Sequence, residues 1–175
     1  SMRGPAPSPD AFYPLQEQGF QIQLASHFLY RLAFYKWLSR HPDINPSRFA
    51  PWHVCFGEMA TIVQAVMGRE LGVCLDWDVP RPSLDGRPLR VNELSEGESS
   101  LLSAICVLGR ALADRRDVGP GRLLNAIVLW DEPESHLHPS AAVKLLNAVS
   151  DRVGPGGQMW IATHCVPLLA QFRDA

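Results

Sequence analysis

The sequence predicts an α/β fold: a parallel sheet with a helical subdomain on its N-terminal side. Three observations carry this reading. The apolar run Ile127-Val128-Leu129-Trp130, a helical stretch opened by Pro139 and a second apolar run from Met159 to Thr163 give the order strand, helix, strand of a βαβ unit. Upstream, two long stretches repeat apolar residues at helical spacing. The chain has 175 residues, 46% hydrophobic and 19% charged, enough for one domain with a real core. That composition excludes collagen-like, coiled-coil and low-complexity chains.

Ser1 to Pro14 is proline-rich and reads as a flexible lead. Between Phe20 and Leu38, the residues Leu24, Phe28, Leu32 and Tyr35, flanked by Ala25, Leu29 and Ala33, mark a helix with a wide apolar face. Pro42, Pro46 and Pro51 make His41 to Pro51 a connector, because each blocks helix propagation. A second helix is expected from Gly57 to Leu71, where Met59, Ile62, Val63, Val66 and Met67 form the stripe. Val73 to Trp77 reads as a short strand. Asp85-Gly86, between Ser83-Leu84 and Arg87 to Val91, is a hairpin turn. This region, residues 15–90, forms a helical arm with a short hairpin; residues 91–175 form a second lobe.

The second lobe opens on Ser95-Glu96-Gly97-Glu98, with Ser and Glu three apart before Leu101, Leu102, Ile105, Leu108 and Leu112, the mark of a capped helix start. Ile127 to Trp130 reads as a buried parallel strand emerging into Asp131-Glu132-Pro133. The helix from Pro139 carries Ala142, Leu145, Leu146 and Val149 on one face and stops at Gly154-Pro155-Gly156-Gly157. Met159 to Thr163 reads as a second buried strand, followed by His164 and a short terminal helix.

The formal net charge of -2 gives no global field toward nucleic acid or an anionic membrane. Arg110, Arg115, Arg116 and Arg122 cluster, but Asp114 and Asp117 interleave, which reads as a solvated surface. No apolar run is long enough for a membrane span and no signal-peptide core is visible, so the chain reads as cytoplasmic. Cys55, Cys74, Cys106 and Cys165 are scattered without a CxxC pair, as reduced thiols are.

Three features carry chemistry. Asp131 and Glu132 end a strand at the carboxyl edge of a parallel sheet, where open α/β folds bind ligands. There the first carboxylate is suited to Mg²⁺ and the second to orienting and deprotonating a water; a solvated acidic turn is the plainer alternative. His164 ends the next strand at the same edge, either as a group facing an anion or as a satisfied structural histidine. The helix start at Ser95 to Glu98 is either an anion site of backbone N–H groups or an ordinary cap.

The order and spacing of Leu94-Ser95-Glu96-Gly97-Glu98, Asp131-Glu132-Pro133-Glu134-Ser135-His136-Leu137-His138-Pro139 and Ile161-Ala162-Thr163-His164 resembles the C-terminal half of an ABC-type ATPase. These segments correspond to its signature motif, Walker B strand with D-loop, and switch histidine, over roughly Val91 to Val166. The resemblance implies a partial P-loop NTPase sheet, ATP as substrate and Mg²⁺ as cofactor. It further implies that Asp131 holds Mg²⁺ through water, that Glu132 polarises the attacking water and that His164 senses the γ-phosphate. Ser95, Glu96, Gly97 and Glu98 then contact a nucleotide held mainly by the opposite subunit of a dimer. Ser135, His136, Leu137 and His138 form the D-loop. Transporter subunits carry Asp-Glu-Pro-Thr-Ser-Ala-Leu-Asp here; the Glu-Ser-His-Leu-His-Pro form resembles the OLD, RecF and SMC-related ATPases of DNA repair and anti-phage defence. His138 replaces the D-loop aspartate, and Glu96 replaces one glycine of the signature pair. A zinc site at His136 and His138 lacks further ligands.

A phosphate-binding loop GxxxxGK[ST] is missing: lysine occurs only at Lys36 and Lys144, neither behind a glycine-rich loop. The Walker A half is expected on a missing lobe or another chain, in a homodimer or hetero-assembly of ATPase heads. Nucleic acid is reached through an effector, and no membrane partner is expected. A sheet lacking that lobe leaves an edge and an apolar face uncovered, so self-association or a covering partner is expected. The competing readings are a binding module without turnover and a transporter subunit.

Overall fold

The structure is a computed structural model that describes residues 18–41, 43, 45, 50–114, 127–135, 137–153 and 156–171. Segment 1–14, His136, Gly154, Pro155, Arg115, Arg116, Asp117 and Arg122 lie outside the described residues, as do the side chains of Leu24, Leu112 and Asp114.

Helix α1 (Gln18–Leu38) covers the first expected helix. Helix α2 (Ala50–Met67) starts seven residues before the expected Gly57, with Pro51 inside its first turn. The connector reading of Pro51 is thereby corrected. A proline at a helix start sacrifices only an N–H that has no intrahelical partner anyway. The helix ends before the expected Leu71 because Gly68 turns left-handed at φ +68°. Its N–H still closes on the Gln64 carbonyl at 3.0 Å.

Strands β1 (Leu71–Asp76), β2 (Val79–Leu84) and β3 (Arg87–Pro88) form an antiparallel meander in that order. The Asp85-Gly86 turn is present, with φ of 52° and 76°, both left-handed as a tight hairpin turn requires. The hairpin between β1 and β2 had no expectation. It closes at Trp77-Asp78, again with both φ positive, and pairs Asp76 with Val79. Pro80 and Pro82 lie inside β2, and prolines ordinarily argue against a strand.

After a single 3-10 turn at Val91–Glu93 comes α3 (Glu96–Asp114). The βαβ unit follows: β4 (Ile127–Asp131), α4 (Pro139–Ser150) and β5 (Gln158–Ala162), with the strands parallel and in register from Ile127↔Gln158 to Asp131↔Ala162. Helix α5 (Val166–Gln171) closes the described chain. The mixed α/β class with a parallel sheet is as expected.

One core joins the helices. Phe28, Leu29 and Leu32 of α1, Phe56, Met59 and Ile62 of α2, Leu101, Leu102 and Ile105 of α3, and Leu145 and Val149 of α4 are buried in a continuous cluster. Each such side chain contributes about 1.5–3 kcal/mol by leaving water. Arg152, just past α4, grips Glu58 of α2 at 2.9 Å and ties the end of α4 to α2.

The expectation of two buried strands is corrected. Val128, Trp130, Met159 and Ile161 pack toward the helices, but Leu129 and Trp160 are 65% and 63% exposed, with Ile127 beside them. Alternate side chains of a strand face opposite ways, and the described residues cover only one face of the β4–β5 pair. Cys55, Cys74, Cys106 and Cys165 form no disulfide with one another; Cys55 and Cys106 are buried, Cys74 and Cys165 half-buried. Among the described residues, no helix is long and apolar enough to cross a membrane.

Candidate functional site

The parallel register delivers the two strand ends to one edge. Asp131 pairs with Ala162, and the Glu132 N–H donates to the Ala162 carbonyl at 2.8 Å, so the chain leaves β4 beside the segment that leaves β5. Glu132 then turns left-handed, at φ 46°. For a residue with a Cβ this conformation costs about 1–2 kcal/mol, and such strain collects at functional positions. The bend is held by the Ser135 N–H on the Glu132 carbonyl (2.9 Å) and the Leu137 N–H on the Glu134 carbonyl (2.8 Å).

Across the edge, His164 Nε2 lies 3.7 Å from Glu132 Oε1. The Ser135 hydroxyl donates to the other carboxylate oxygen of Glu132 at 3.2 Å. Both His164 and Glu132 stand open to solvent, with side chains 92% and 51% exposed. Asp131 is exposed next to them. An accessible carboxylate beside an imidazole can orient a water and meet an anion.

Glu134 escaped the sequence reading and is the most connected group of the edge. Its Oε1 accepts from the Thr163 hydroxyl (2.6 Å), the His164 N–H (2.9 Å) and the Cys165 N–H (3.1 Å). Burial opposes its ionisation, but these donors outweigh it and hold the carboxyl below the usual glutamate value. Its sequence signals were its place two residues beyond Glu132 and at the head of the Glu-Ser-His-Leu-His-Pro stretch, neither of which showed what it would bind.

The start of α3 is a complete capping box. The Ser95 hydroxyl and N–H both donate to Glu98 Oε2 at 2.9 Å, and the Glu98 N–H returns to Ser95 Oγ at 3.3 Å. Arg69 adds a bond to Glu98 Oε1 at 2.9 Å. The Ser95 N–H, the Ser95 hydroxyl and Arg69 draw the Glu98 carboxyl below its ordinary range against the cost of burial. Ser95 and Glu96 are exposed and Gly97 is half-buried. The cap and the sheet edge are thus two separately built clusters.

His138 has a structural role: its Nδ1 caps α4, accepting the Ser140 N–H at 3.3 Å beside the Ser140 hydroxyl at 2.8 Å. Leu137 is half-buried against the core. Among the described residues, no three His, Cys, Asp or Glu side chains gather to hold a metal by themselves. Asp131 therefore offers one carboxylate. That suits Mg²⁺, which keeps most of its waters and binds through one or two carboxylates together with substrate phosphates.

Residues 24–170 match the family described as "AAA domain, putative AbiEii toxin, Type IV TA system". No match is found among curated proteins. Among solved structures, the SMC head bound to the C-winged helix domain of ScpA aligns over 94% of this chain and 51% of its own, with TM-score 0.56 and 15% identity. A second, from work on ATP-driven dimerization and DNA stimulated activation of SMC ATPases, aligns over 67% of this chain and 71% of its own, with TM-score 0.48 and 14% identity. At 15% identity the likeness to the first of these is one of fold, and the chain spans about half of that head's length.

Proposed function

The chain belongs to the AAA domain family, and from that membership we propose that it is the signature-bearing part of an ATPase head that dimerises on binding Mg-ATP and separates on hydrolysis. The observation that carries the proposal is the 3.7 Å approach of His164 to Glu132 at the carboxyl edge of a parallel sheet. Glu132 orients and polarises the attacking water, and His164 meets the γ-phosphate. Asp131 would hold Mg²⁺ through water, where the bound ion would supply charge neutralisation at the phosphates. The α3 start, Ser95 to Glu98, faces the nucleotide of a second head with the positive dipole end of a helix. Ser135, His136, Leu137 and His138 form the loop between the heads. The setting is DNA repair or anti-phage defence, with any nucleic acid engaged through an effector.

The phosphate cradle comes from elsewhere. Of the two lysines, Lys36 stands over the Phe56 ring at 4.2 Å, where burial lowers its pKa, and Lys144 lies within α4. A missing lobe or a second head therefore supplies the P-loop. The same observation favours a second reading, a binding module without turnover. Calorimetric titration of the chain with Mg-ATP, followed by phosphate release in the assembled ATPase, tests the proposal. Weak binding by the chain and loss of phosphate release in Glu132→Gln are expected. Micromolar binding by the chain alone would overturn the split site, and turnover indifferent to Glu132→Gln would leave the binding module.

A further inference from the structure

We propose that Glu134 is a positioning residue that clasps the segment after β5 and thereby sets His164 against Glu132. The inference rests on the ATPase reading only for its catalytic consequence; the clasp itself is a matter of geometry.

His164 cannot be fixed by packing. Its side chain is 92% exposed and, among the described residues, it faces an ion-pairing neighbour only in Glu132, so its place follows from where its backbone is held. That backbone is held by Glu134. The carboxylate reaches 30 residues along the sequence and binds three consecutive residues, through the Thr163 hydroxyl and the N–H groups of His164 and Cys165. The Cys165 N–H is shared with Thr163 Oγ1 at 3.0 Å, which locks the same turn a second time. All three donors converge on Oε1, while Oε2 is buried and has no hydrogen-bond partner among the described residues. A charged acceptor sheltered from water makes stronger bonds than a neutral one, and here it serves the loop at the expense of its own second oxygen. Glu134 is also tied to the bend that begins at Glu132, since its carbonyl accepts the Leu137 N–H. One residue thus joins the two strand exits that carry the carboxylate and the imidazole.

The test is a mutant cycle read by NMR on the chain without nucleotide, at constant pH. In the wild type, Glu132→Gln is expected to shift the His164 imidazole resonances. In a Glu134→Ala background that response is expected to disappear, and in Glu134→Gln, whose amide oxygen still accepts, to return in part. A merely structural role would change melting without erasing the response. Should Glu134→Ala fail to fold, Thr163→Val removes one donor and is expected to diminish the response. A response that survives Glu134→Ala or Thr163→Val unchanged, or is absent from the wild type, would overturn the proposal. Turnover is scored separately: a coupling lost with Glu134, together with phosphate release indifferent to Glu132→Gln, supports the clasp and rejects the ATPase reading.

Discussion

Arg69 and Glu98 meet at 2.9 Å, joining the segment that follows α2 to the first turn of α3. The same guanidinium holds Asp85 at 2.8 Å, so the β2–β3 turn, the end of α2 and the capping box share one cation. These side chains are partly exposed, and the pairs add little stability by themselves. Their effect is to orient the start of α3.

Acid should loosen this junction. The folded-state pKa of Glu98 lies below its ordinary 4.5, chiefly through the Ser95 N–H. Its contribution is therefore present above the unfolded value and lost as pH falls through the folded one. Urea unfolding of wild type and Glu98→Gln should differ most at neutral pH and converge as the pH falls below 4.5 and through the lowered folded-state value. A constant difference would contradict the assignment.

Ser95→Ala removes the cap and should cost about 1 kcal/mol in urea unfolding. Ser95→Arg should cost a similar amount and, in the assembled ATPase, also block ATP-driven association of heads. Sedimentation with and without Mg-ATP checks this; undiminished association would contradict a role for the helix start in the head interface.

Glu132→Gly should stabilise the chain by about 1 kcal/mol, because glycine adopts positive φ without the Cβ penalty. The exposed contacts of Glu132 that it removes are worth less. The urea midpoint should rise while phosphate release by the assembly is lost. A lowered midpoint would show that the left-handed turn is not strained.

Gly109 of α3 packs where a Cβ would overlap Sδ and Cγ of Met59 and approach Phe28 Cε1 to 3.2 Å. Alanine gains up to about 1 kcal/mol of helix propensity, but overpacking a full core costs about 1–3 kcal/mol. Gly109→Ala should therefore lower stability, read as a reduced melting temperature.

The uncovered sheet face should drive association. Leu129 and Trp160, directly paired across β4 and β5, are both exposed. The double variant Leu129→Ser, Trp160→Ser should shift the chain toward monomer in sedimentation. An unchanged distribution would remove this face from any interface of the chain with itself.

What the sequence determined by itself was local. Ser95 and Glu98 stand three apart and bond within one helical turn, Asp85-Gly86 supplies two left-handed residues, and Leu145 and Val149 repeat at helical spacing. Each is an interaction among neighbours, so the order of residues suffices to read it. The tertiary structure decided what depends on distant chain. Trp77-Asp78 closes a hairpin through a strand bearing two prolines, because strand pairing outweighs local preference. Which face of β4 meets the helices is invisible in an all-apolar run, since Ile127 to Trp130 offers no polar side to mark the outside. The edge itself follows the same logic. Asp131, Glu132 and His164 were legible as strand ends, but the Glu134 clasp exists only once the parallel register sets Asp131 beside Ala162 and brings the Thr163, His164 and Cys165 donors within reach of one carboxylate.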